Sequence, residues 1–226
     1  MARTPIRSDG QSHVPMARPD VVPYIAAWQS EERTGTPLLA LPGRGIAFPD
    51  EVPGDRDAHG VLWPRTGISP GRGRPVYNRV HARRQRRVME RLLCQVCAGP
   101  ASRTAEGWLW LLHDDRAVEG RGWPESVGAT HPPLCLPCAE IAGRMCPHLS
   151  GSFIAIRVAD PRPWGVYGAC YGPSPTGPYA QVRGAAMVGY HDPSAAWVLA
   201  SQMVRLLRGC TVVPLERELA AARSVA

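Results

Sequence analysis

An α+β fold is predicted by three features of the chain. Two Cys-x-x-Cys pairs, Cys94/Cys97 in LLCQVCAG and Cys135/Cys138 in PPLCLPCAE, have 37 residues between them. Short apolar runs bounded by proline or glycine fill the region before the first pair and recur after the second, which is strand and turn punctuation. Breaker-free, helix-forming stretches sit beside each pair. A cysteine-rich core is therefore expected, with an irregular lobe before it and a small antiparallel sheet plus helix after it.

Residues 1–20 are dominated by proline, glycine, serine and arginine without apolar periodicity, and read as a flexible arm. From Val21 the texture changes. VVPYIAAW, PLLALPGRGIAF and HGVLWPRTG are short apolar runs of an irregular lobe over 21–76, each too short for a helix. Between the last two lie Asp50, Glu51, Asp55, Asp57 and His59. Such a set could hold a hard cation or serve acid–base chemistry, but Pro53 and Gly54 break any fixed presentation, and a solvated acidic loop pairing with nearby arginines is the better reading.

The cysteine-rich core is placed at 77–150. VYNRVHARRQRRVMERLL reads as one helix running into the first pair, with Tyr77, Val80, Val88 and Leu92 as its buried stripe. Arg79, Arg83, Arg84, Arg86, Arg87 and Arg91 then face a single acid, Glu90. All 26 basic residues of the chain are arginine, the net charge is +7 and the pI is near 9.4, a balance that suits an anionic partner such as DNA or RNA. Gln85 is the one further candidate for reading base edges. Between the pairs, GWLWLLHDD and the Glu119–Gly122 turn suggest a β-hairpin. Pro132 and Pro133 stop what precedes the second pair, and CAEIAGRMC opens a helix.

Each Cys-x-x-Cys sets two sulfurs on one side of a tight turn. Two such turns brought together close a four-thiolate shell of the kind that holds structural Zn2+. Cys146 and His148 are alternative ligands, able to join Cys135 and Cys138 in a three-cysteine, one-histidine shell; the simpler expectation makes them a buried residue and a helix end. Seven cysteines, with no apolar leader and no run of eighteen apolar residues, fit a reducing, cytoplasmic setting away from membranes.

Over 151–226, FIAIRVAD, WGVYGACYG and VRGAAMVGY are strand candidates in a meander. Asp192 caps a helix with Pro193 at its first position, and Trp197, Ala200, Met203, Val204 and Leu207 form its apolar stripe to Gly209. TVVPL could return as a strand, and LERELAAAR is a short terminal helix. With no lysine in the chain there is no Walker-type phosphate loop, and no serine stands in a nucleophile elbow.

The order of basic helix, LCQVC knuckle, hairpin and helix-opening LCLPC resembles the treble-clef frame of HNH-type nucleases. That family carries a general-base histidine on the strand between the knuckles, which His113 matches, with Asp114 or Asp115 beside it. The resemblance implies a metal-dependent nuclease with a second, catalytic metal. Two other family positions differ: Ala139 stands where a metal-binding histidine follows the last cysteine, and the sole asparagine, Asn78, lies outside the intervening loop. A wider set of motifs, VVPYIAAW, DRDAHGVLWPR, RRQRRVMERLLCQVC, HPPLCLPCAEIAGRMCPHL and WGVYGACY, resembles a group of proteins of actinobacterial genomes and their mobile elements, which implies a stand-alone bacterial protein. The leading reading is thus a non-enzymatic zinc protein that binds nucleic acid through its basic helix. An HNH-like nuclease and a zinc-stabilised scaffold are the alternatives.

Overall fold

The protein was analysed as a computed structural model, which describes residues 21–32, 34–120, 122–149 and 152–224. The arm expected over 1–20 lies outside the described residues. The N-terminal lobe is built from short pieces: β1 (Ala26–Trp28) and a hairpin of β2 (Leu39–Leu41) and β3 (Gly45–Ala47). The single helix expected from Tyr77 is two elements. Pro75–Val80 forms β4, which pairs antiparallel with β1, and only Ala82–Arg91 is helical, as α1. His81 ends the strand and caps the helix, its Nδ1 accepting from the Arg84 amide. Tyr77 accordingly lies on a strand and is exposed rather than part of a helix stripe.

After the first cysteine pair come β5 (Arg103–Thr104), β6 (Gly107–His113), the short α2 (Arg116–Glu119), β7 (Gly128–Ala129) and α3 (Leu136–Met145). The hairpin between the pairs is real, but its second arm is upstream: β6 turns back on β5. At this β5–β6 turn Gly107 has φ +116, and a Cβ there would stand 2.0 Å from the Val158 carbonyl oxygen, so no other residue fits.

Three strands then carry the main sheet. β8 (Phe153–Gly172), β9 (Ala180–Gly189) and β10 (Val198–Val213) join β5, β6 and β7 in a six-stranded antiparallel sheet of order β5-β6-β8-β10-β7, with β9 also on β8. The sheet crosses position 150, uniting strands from before and after it. FIAIRVAD and WGVYGACYG are one continuous strand despite Pro161 and Pro163. β6 pairs with Phe153–Val158 and β9 with Gly165–Gly172, so the prolines fall in the gap where β8 has β10 alone as partner. Missing N–H groups are tolerated at such a locally one-sided edge.

The helix expected over 193–209 is corrected to a strand. Asp192 does cap a turn, accepting from the Ser194 amide, but Pro193–Trp197 makes only a 3₁₀ turn before β10 begins. Ser201 is an extra residue opposite β8, between Ala200 facing Gly168 and Gln202 facing Tyr167. One inserted residue turns a spacing of two into three. Buried Ala200, Met203 and Leu207 then mimic a helical stripe. The terminal helix is present as α4 (Leu215–Arg223).

Candidate metal centre and basic helix face

The first cysteine pair is delivered by a tight turn directly after α1. Ala98 N–H donates to the Cys94 carbonyl at 2.9 Å, Cys94 N–H to Gly99 at 2.8 Å, and Ala98 adopts φ +58. The second pair opens α3, with Cys135 as N-cap and the Ala139 amide donating to its carbonyl. Two backbone bonds bring the halves together. Gln95 N–H reaches the Pro133 carbonyl at 3.0 Å, and Ser102 N–H reaches Leu134 at 2.9 Å, while Leu134 N–H itself donates to Leu109 on β6. Leu109, Leu111, Leu134, Ala139, Ala155 and Leu215 pack around Cys94 and Cys138, so the cysteines form part of an apolar core.

The four Sγ atoms of Cys94, Cys97, Cys135 and Cys138 all lie within 4.8 Å of one another. A tetrahedron with Zn–S near 2.3 Å has sulfur–sulfur edges of about 3.8 Å. The Cys97–Cys135 separation is 3.8 Å, so the donor set fits zinc in type and size. Burial pushes the Cys135 thiol up to about 11 and raises Cys138 as well. Burial also acts on Cys97, but the Gly99 amide and the three neighbouring sulfurs outweigh it and lower its pKa. Without a cation, such a cluster holds its protons unevenly; a bound dication compensates the thiolates.

Cys146 and His148 stand apart from the tetrad, at the C-cap of α3 and in the following 3₁₀ turn. On the strand between the pairs, His113 is exposed at the end of β6 and its Nδ1 lies 2.9 Å from Asp115. Asp114 is engaged by Arg116, whose guanidinium and amide hold that carboxyl at about 2. The acidic loop of the lobe is closed on arginines: Glu51 pairs with Arg56, and Arg65 spans Asp50 and Asp55.

The six arginines divide into two groups. Arg84 is 5% exposed and grips Glu31, itself 1% exposed, at 2.6 and 2.7 Å while also bonding the Ala26 carbonyl. Arg79 donates to the Trp28 and Glu31 carbonyls. Arg84 thus binds the lobe to α1, while the half-buried Arg79, on β4, ties that strand to Trp28 and Glu31 within the lobe. Gln85 is likewise buried, its amide bridging the Thr130 and Met203 carbonyls and accepting from Met203 N–H, so it reads no bases. Neither the buried arginine nor the buried glutamine was legible as such, because their partners lie 53 and 118 residues away in the chain.

Arg83, Arg87 and Arg91 are exposed at every fourth position of α1. Residues so spaced are neighbours on one helix face. Arg86 pairs with the only acid of that face, Glu90, and lies over the Trp63 ring. Arg87 is braced by the Tyr24 hydroxyl at 3.0 Å, and Tyr24 is tied through its own amide to the Val96 carbonyl inside the first knuckle. The positive stripe is thereby mounted on the cysteine core. Among the described residues no helix is long and apolar enough to cross a membrane. No family model, curated protein or solved structure matches the chain, and its function is read from the geometry of the tetrad and the helix beside it.

Proposed function

We propose that the chain is a non-enzymatic, zinc-stabilised nucleic-acid-binding protein. Cys94, Cys97, Cys135 and Cys138 hold one structural Zn2+ in a treble-clef-like arrangement of knuckle, β5–β6 hairpin and α3. Zinc does no chemistry on a substrate here. It locks the end of α1 to the start of α3, and so fixes the presentation of the α1 face.

The observation that carries the nucleic-acid reading is the stripe Arg83, Arg87 and Arg91, exposed on a helix whose single acid, Glu90, is paired with Arg86. Cations at helical spacing match the repeated charge of a phosphate backbone, and each phosphate contact releases condensed counterions. Guanidinium groups suit phosphate through their planar donor fork. The test is fluorescence anisotropy across a salt series with wild type and the Arg83→Gln/Arg87→Gln/Arg91→Gln variant. The slope of log K against log salt should flatten by about 0.7–0.9 for each lost contact, with zinc content unchanged. Equal affinity and slope in the two proteins would refute this role for the stripe.

A further inference from the structure

Beside the arginine stripe lies a surface aromatic pair that the zinc and phosphate readings leave unused. Asp57 organises it. One carboxylate oxygen accepts from the His59 and Val61 amides at 2.9 and 3.0 Å, and the other accepts from Trp63 Nε1 at 3.0 Å. Gly60 N–H closes the same turn on the Asp57 carbonyl. His59 is thereby laid flat on Tyr190, with ring centroids 3.7 Å apart and planes inclined by 15°. Tyr190 is half-buried and packed against the core that includes Val61, Trp63, Met89, Val188 and Val198. His59 itself is exposed, and among the described residues no other ring contact covers it.

The turn is closed without this stack, because Asp57 already satisfies its amides. What the stack adds is a planar ring, backed on one side and facing solvent on the other. Its position relative to α1 follows from contacts: Asp57 holds Trp63, and the Arg86 guanidinium lies 5.2 Å from the Trp63 ring centroid. Arg83 is the neighbour of Arg86 and Arg87 on the helix surface. A flat ring at the border of a cationic stripe is the arrangement that binds unpaired bases, which stack by their faces while phosphates follow the charge. In a duplex each base face is occupied by its neighbours and only edges are presented.

We infer that the α1 face binds single-stranded nucleic acid, with one base stacked on the outer face of His59 and the backbone running over Arg83, Arg87 and Arg91. This rests on the nucleic-acid reading of α1 and narrows it to a substrate class. Phosphate attraction alone would treat strands and duplexes by charge density, whereas the ring discriminates by whether a base face is free.

The experiment uses the full-length, zinc-loaded protein with a fluorescein-labelled 20-mer of thymidine and a duplex of the same length at low salt. Wild type should favour the single strand. His59→Ala should weaken single-strand binding about 5- to 10-fold and leave duplex binding unchanged, the duplex value doubling as a control for folding. His59→Phe, which keeps a ring on Tyr190, should restore the preference. If His59→Ala binds the single strand like wild type, or if wild type prefers the duplex, the stacking inference is overturned while the stripe's affinity for nucleic acid stands. No binding of either oligonucleotide overturns both.

Discussion

Arg83 and Arg84 are adjacent on α1, yet replacing them should have very different consequences. Arg84→Ala would strip the buried Glu31 carboxylate of the two guanidinium bonds at 2.6 and 2.7 Å, leaving it the Trp28 and Ser69 amides and the His81 ring, with Nε2 4.0 Å away. Burial raises the pKa of Glu31, but Arg84 and those two amides outweigh it and hold the group at about 2, against an ordinary 4.5. That difference corresponds to about 3 kcal/mol shared between Arg84 and the two amides, and breaking a buried pair on one side typically costs about 3–5 kcal/mol. Arg83→Ala, on the exposed face, should change stability by less than about 0.5 kcal/mol. Urea unfolding followed by tryptophan fluorescence reads both. The sign of the pH effect follows from the lowered carboxylate. Its stabilisation is complete above the unfolded value of 4.5 and is lost as pH falls towards about 2. His81 adds to acid sensitivity, because burial lowers its pKa and the folded state resists its protonation below the ordinary 6.5. Arg84→Ala should therefore be most damaging near neutrality and approach wild type in strong acid. Equal urea midpoints for the two alanine variants at pH 7 would refute the division of the arginines into structural and surface groups.

Metal analysis should find one zinc per chain, retained in Cys146→Ser and His148→Ala and lost in Cys94→Ser; since structural zinc contributes an apparent ~10–16 kcal/mol, the last variant or a strong chelator should unfold the central region, seen as loss of near-UV circular dichroism. Glu218→Ala should strand the fully buried Arg157, which bonds Glu218 on α4 as well as the Ser102 and Gly107 carbonyls, and cost about 3 kcal/mol in denaturant unfolding. Plasmid incubated with magnesium or manganese should stay intact, because Asp114 is engaged by Arg116 and His113 is held against Asp115; cleavage abolished by His113→Ala in a folded variant would place the chain among enzymes. Gly107→Ala should yield little folded protein, since its Cβ would meet the Val158 carbonyl oxygen at 2.0 Å.

What the sequence determined by itself was local in origin. Two cysteines two residues apart and a helix opening at the second pair are set by short-range geometry, and the four sulfurs do converge. The alternation of Ile154, Ile156 and Val158 marked a strand, and Asp192 followed by Pro193 marked a cap, because each is written in neighbouring residues. Tertiary structure decided the rest. Ala200, Met203 and Leu207 read as a helix stripe until the ladder with β8 revealed the extra residue Ser201, since a bulge exists only relative to a partner strand. Six arginines in one stretch looked equivalent until the lobe brought Glu31 onto Arg84 and the Trp28 carbonyl onto Arg79. A side chain's charge is a property of the residue, but whether that charge is consumed inside the fold or offered to solvent depends on which distant group arrives beside it. The same reason hid His59: a lone histidine in a turn acquires a backing ring only when Tyr190, far along the chain, folds beneath it.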